Sequence, residues 1–241
     1  MTNRGLALVL SFVWAAAPLA VSAEAIKPLR SLTYELRVTV GVVRSIERDA
    51  IGTAGSTHGD FAGGEGSQGT ITVDVIAATD DRGIVADVRE NAEGRSRPVV
   101  RVAITGEGTL TYDPRQSHNV TGEEDALLRW LARDFVSLEV RAPGAIWNVD
   151  TSSGNARGAE HYRVVSADGS LLKLDYKAES KSSGIGSGDM TRAGTVVYDA
   201  RMSVPTSANY KDIIHRQQLG TYDTTEMAVQ LRLVADSFAK K

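Results

Sequence analysis

Along most of the chain, apolar and polar residues alternate with a period of two. Leu32, Tyr34, Leu36, Val38, Val40 and Val42 fall on one side of an extended segment, while Thr33, Glu35, Arg37 and Thr39 fall on the other. The same alternation runs through Ile71, Val73 and Val75, through Ile84, Ala86 and Val88, through Val100, Val102 and Ile104, and through Leu110 and Tyr112. It resumes in Trp147 and Val149, Tyr162 and Val164, Leu172, Leu174 and Tyr176, then Val196, Tyr198, Ala200 and Met202. A weaker strand around Ile213 and a last one over Met227, Val229, Leu231 and Leu233 follow. One dry face and one wet face is the signature of antiparallel strands. Asp80-Asp81-Arg82-Gly83, residues 91–94, Gly106-Glu107-Gly108 and Asp168-Gly169 are the short turns a meander needs.

One stretch, residues 121–136, breaks the period and reads as a helix. Thr121 and Glu124 have the spacing of a capping box. Glu123, Glu124 and Asp125 place negative charge at the positive end of the helix dipole. Leu127, Leu128, Leu131 and Phe135 recur at three- and four-residue intervals with Trp130 on the flank, whereas Arg129 and Arg133 are expected to face away. Asp125 and Arg129 are spaced for an i,i+4 ion pair.

The expected fold is therefore all-β, mainly an antiparallel meander curved into a half-barrel, barrel or sandwich, with one central amphipathic helix packed on the sheet. Eleven strands side by side make a flat sheet about 50 Å wide. A helix over residues 121–136 is about 24 Å long and about 10 Å across, enough to cover two or three strands. The sheet must bend around it or close on itself, and any volume left beside the helix is a cavity. Leu127, Trp130, Leu131, Phe135, Tyr112 and Tyr198 are the expected lining. The arrangement resembles the curved-sheet-plus-helix architecture of periplasmic lipoprotein carriers and mycobacterial lipid-binding proteins; the resemblance is architectural, and no sequence motif accompanies it.

Residues 1–23 read as a signal peptide: Arg4 in the n-region, an apolar stretch from Leu6 to Ala20, and Val21-Ser22-Ala23 as the cleavage site. The mature chain is then 24–241, one β-rich domain exported to the periplasm or the extracellular space. A short echo between the segments starting at Gly108 and Gly194 leaves open two related meander halves, 24–120 and 137–241, around the helix. There are no cysteines, so the core carries no disulfide. A net charge of −3 gives no basic excess for nucleic acid, and no later stretch is long and apolar enough to cross a membrane as a helix.

Residues 49–68 and 179–194 are rich in Gly, Ala and Ser and are expected as loops, either lids, with Phe61 as a latch, or disordered. Candidate chemistry is sparse. Residues 64–69 match G-x-G-x-x-G but lack the preceding strand and following helix that phosphate binding needs. Ser170 and Lys173 match S-x-x-K on an extended segment, where they point to opposite faces. His58 and His118 are expected in loops and His161 and His215 on wet strand faces, without metal-ligand spacing. Asp113 and Asp199 read as strand-ending turn residues and not as an acid/base pair. Asn119-Val120-Thr121 fits a glycosylation acceptor, relevant only in a eukaryotic secretory pathway. No catalytic residue, cofactor or metal site is assigned.

The functional expectation is a non-catalytic exported protein that binds an apolar or lipid-like small molecule, or a protein partner, in a concave β surface. The alternatives are a surface-assembly module that pairs through a sheet edge, and a hydrolase of unrecognised type.

Overall fold

The computed structural model describes residues 27–48, 54–58, 65–92, 95–113, 115, 121–137, 141–153, 156–183, 187–218 and 221–238. The N-terminal segment read as a signal peptide, Phe61, His118 and Asn119 lie outside them. The first part of the chain forms β1 (Arg30–Arg48), β2 (Ala54–His58), β3 (Glu65–Ala78), β4 (Ile84–Ala92), β5 (Arg95–Ser96), β6 (Val100–Ile104) and β7 (Leu110–Tyr112). The helix α1 (Gly122–Trp130) follows. The chain ends in β8 (Ile146–Ser153), β9 (Ala156–Asp168), β10 (Leu171–Ser182), β11 (Gly188–Asp199), β12 (Val204–Gln218) and β13 (Thr221–Asp236).

All thirteen strands belong to one antiparallel sheet in the order β7-β6-β4-β3-β1-β13-β12-β11-β10-β9-β8, with β2 alongside β1 and β5 alongside β4. The first meander runs from the centre outwards, and the second starts at the far edge and returns. Its last strand closes the circuit by pairing with β1 from Leu32–Asp236 to Glu47–Thr221. The C-terminal strand is thus central.

The helix connects the two opposite edges of this sheet and so must cross its dry face. At nine residues it is only about 14 Å long, yet it touches both sides. The Tyr112 hydroxyl of β7 donates to Asp125 at 3.0 Å. Trp130 meets Tyr176 of β10 and Tyr210 of β12, and its indole N–H donates to the Tyr162 hydroxyl of β9 at 3.0 Å. A flat eleven-strand sheet would hold its edges about 50 Å apart. Only a sheet curled into a trough brings them to one short helix. Its inner face is a single core that joins Leu32, Tyr34, Ile71, Val73 and Val102 of the first meander to Tyr162, Leu174, Tyr176, Val196 and Tyr198 of the second.

The capping box forms as expected: the Thr121 N–H donates to Glu124 Oε2 at 2.8 Å and the Glu124 N–H to Thr121 Oγ1 at 3.2 Å. The helix, however, stops at Trp130, short of the expected 136. Residues 131–136 continue in tight turns, and the Asp134 N–H leaves the helical ladder for the Gly106 carbonyl in the β6–β7 turn at 2.9 Å. Arg82 of the β3–β4 turn pairs with Asp134 at 2.9 Å. A long-range partner for this backbone group outcompetes the helix, and no Gly or Pro announces it in the sequence.

Three more expectations need correction. Of the Gly/Ser-rich segments, 54–58 is a strand on β1 and 65–68 lies in β3, while 179–182 and 188–194 are the two arms of the β10–β11 hairpin, paired from Leu171–Asp199 to Ser182–Gly188. Residues without side-chain bulk still satisfy their backbone in a ladder when neighbouring strands are long. His58 is therefore in a strand and not a loop. Met202 sits in a turn, because the Asp199 carboxylate accepts from the Arg201 and Met202 N–H groups and ends β11. Asp113 caps β7 in the same way through the Arg115 N–H.

Candidate functional site

Aromatic rings occupy much of the space beside the helix. Phe135 packs edge-on against Trp147, Tyr162 and Tyr198, with ring centres 5.0 to 5.8 Å apart. Trp147, Tyr162 and Tyr176 stack in a row across β8, β9 and β10. Leu127, Trp130, Leu131, Phe135 and Tyr198, five of the six expected lining residues, are buried, and Tyr112 is half-buried. Leu127, Trp130, Phe135 and Tyr198 belong to the packed core. Leu131 is the one of the six that borders the open apolar cleft described below.

That cleft, about 290 Å³, opens at the end of the trough where the turns cluster. Its walls are Leu29, Leu32, Val75, Ala78, Ile84, Leu131, Val204 and Phe238, with Arg30, Arg82, Arg133 and Ser203 around them. Leu29 and Phe238 are 56% and 52% exposed, and both border the same apolar cleft. Phe238 is held in place: the Asp236 carboxylate accepts from its N–H at 2.9 Å and from Arg30 at 2.6 and 3.1 Å, and the Arg30 guanidinium lies over its ring. Burial pushes the Asp236 carboxyl up, but the Arg30 bonds and the Phe238 N–H outweigh it and leave the group below the usual range.

Among the described residues, only Arg82 and Ser203 are non-glycines with positive φ, 63° and 52°, and both border this cleft. Left-handed backbone costs an ordinary residue about 1 kcal/mol or more. In the β3–β4 turn, glycine stands one place later, at Gly83, for a different reason: a Cβ there would come within 2.4 Å of the Ile104 carbonyl oxygen. Space decides Gly83, and the strain is carried by Arg82.

The other end of the trough is polar, against the expectation of an apolar inner face. Glu160, Arg192 and Asp212 are buried there, each on the same parity as the apolar residues of its strand: Tyr162, Val196 and Tyr210. Arg192 grips Asp212 through two bonds of 2.7 Å, reaches the Gly122 carbonyl at 3.4 Å and stacks on Tyr210. Arg129, expected to face away, lies against the sheet instead, bound to Asp125 at 3.0 Å and 3.9 Å from Glu160. Tyr162 donates to Glu160 at 2.6 Å. A recess of about 140 Å³ borders Asp125, Arg129, Glu160 and Arg192, whose charges are met by ionic partners.

No protein-family model matches the chain. No curated protein matches it either.

His161 and His215 are exposed, as expected, beside Asn148 and Thr224. Among the described residues no group of three or more His, Cys, Asp or Glu is placed to hold a metal ion. No helix among them is long and apolar enough to cross a membrane. The cleft residues Leu29, Arg30, Arg82, Arg133 and Phe238 had no signal in the alternation, because they sit at strand ends and in turns. Glu160, Arg192 and Asp212 did have one: carrying each strand's parity two residues past Tyr162 and Tyr210, and four past Val196, points them inward.

The polar network makes stability depend on pH. Burial pushes the Glu160 carboxyl above its ordinary value, and burial does the same to Glu124. A raised carboxyl means the folded state holds the proton more tightly than the unfolded state. The associated stability is fully present below the unfolded value of 4.5 and is lost as pH rises through the folded-state value. Glu160→Gln is expected to flatten the fall in melting temperature as pH rises from about 4.5 towards neutrality. Superimposable pH profiles for wild type and variant would show that Glu160 is not desolvated.

Proposed function

We propose that the protein is an exported, non-catalytic binding protein that takes one apolar chain of a small molecule into the cleft bounded by Leu32, Ile84, Leu131 and Val204. The observation that carries this reading is the cleft itself: apolar walls open to water, with exposed Leu29 and Phe238 at the rim. Exposed apolar surface in a concave place is costly to leave in water and is the usual mark of a binding site. Ligand pockets span roughly 300 to 1,000 Å³, so about 290 Å³ suits a single short chain and not a lipid with several. The aromatic packing around Trp130 and Phe135 also supports a site at the end of the trough in preference to its middle.

The test uses the purified mature chain and the neutral apolar fluorophore N-phenyl-1-naphthylamine. Binding is expected for wild type and is expected to drop at least about tenfold in Ala78→Trp, whose indole fills the cleft. Ala78 is exposed at the end of β3, so the fold should survive, as circular dichroism would verify. Fluorophore binding that is absent from wild type, or unaltered by the tryptophan, removes the proposal.

A further inference from the structure

The charged side chains that line the cleft are all of one sign. Among the described residues the lining contains three arginines, Arg30, Arg82 and Arg133, and no carboxylate. The acids bonded to the lining are already engaged: Asp236 is locked to Arg30, Asp134 is paired with Arg82, and Asp81 accepts from Thr79 and from the Gly83 N–H. Arg133 is exposed and has no ion-pair partner among the described residues. It stands two residues beyond Leu131, the apolar side chain that reaches into the cleft.

Building on the apolar-chain reading above, we propose that the ligand is a single-chain carboxylic acid, its chain against Leu131 and Ile84 and its carboxylate held at the mouth by Arg133, with Arg82 beside it. A guanidinium presents paired N–H donors that match the two oxygens of a carboxylate. One unpaired guanidinium fits one such head, and the volume fits one such chain. The backbone at Arg82 supports the same assignment. A left-handed residue in a tight turn is ordinarily Gly or Asn, and strained positions of this kind collect at ligand clamps. Here the strained position carries an arginine at the cleft mouth, its side chain 60% exposed and bonded to Asp134, itself 34% exposed, so it can turn to an incoming anion without leaving a fully buried charge unpaired.

Displacement of N-phenyl-1-naphthylamine by decanoic acid, 1-decanol and decyltrimethylammonium at neutral pH separates head from chain. Decanoate is expected to compete about tenfold better than decanol, and the cation worst. Arg133→Gln should bring the acid down to the alcohol while leaving the alcohol unchanged, and Arg82→Gln should do so in part. Equal competition by acid and alcohol in the wild type overturns the carboxylate assignment and leaves the apolar cleft standing. Failure of the fluorophore itself to bind removes both. An acid preference that survives in both Arg→Gln variants overturns the assignment of the head group to these arginines.

Discussion

Replacing Trp130 by alanine is expected to destabilise the protein by about 3 to 5 kcal/mol, as large-to-small changes at fully enclosed aromatic positions do. Trp130 has no exposed surface. It touches β9, β10 and β12 together, edge-on to Tyr176 and Tyr210 and hydrogen-bonded to Tyr162. Alanine leaves a ring-sized void that Tyr162 and Tyr176 cannot close, since each is already stacked on its neighbour. Phenylalanine keeps most of the ring and should cost about 1 to 2 kcal/mol, from the lost indole bond and the smaller volume. Denaturant unfolding of the two variants checks this. A loss below about 1 kcal/mol for alanine would mean that the helix is not what holds the curled sheet together.

Asp212→Ala is expected to cost a comparable 3 to 5 kcal/mol, because it strands the Arg192 guanidinium in a dry place. The side chains of Arg192 and Asp212 are 5% and 1% exposed, and both of their hydrogen bonds are at 2.7 Å. Arg192 also holds the first turn of the helix through Gly122, so loss of its partner loosens the helix as well as the sheet. The double variant Arg192→Met, Asp212→Leu should recover most of the loss, since an apolar pair of similar volume needs no desolvation. Equal unfolding midpoints for wild type and Asp212→Ala would show that water reaches the pair.

The amphipathic patterns make most of this architecture legible. Strand alternation in Leu32, Tyr34 and Leu36 or in Leu172, Leu174 and Tyr176 places each residue on the face it occupies, because the period of two follows from the pleat and not from the neighbours. The capping box of Thr121 and Glu124 is equally local and forms as its spacing says. The need for curvature also follows from the sequence: eleven dry strand faces exceed what one helix covers.

What the sequence left open were the matters that depend on partners far along the chain. The helix stops at Trp130 because Gly106, remote in sequence, accepts the Asp134 N–H. Arg129 turns inward because Glu160 lies beside its own i,i+4 partner. The volume beside the helix was divided only when the two meanders met: rings from β8 to β12 took the middle, and the turns at one end left the cleft. Periodicity reports which face of an element is dry; how much of that face stays uncovered is settled by how the elements meet. The arginines at the cleft mouth belong to that second kind of information, since residues in turns have no period and acquire a common location only when the sheet curls.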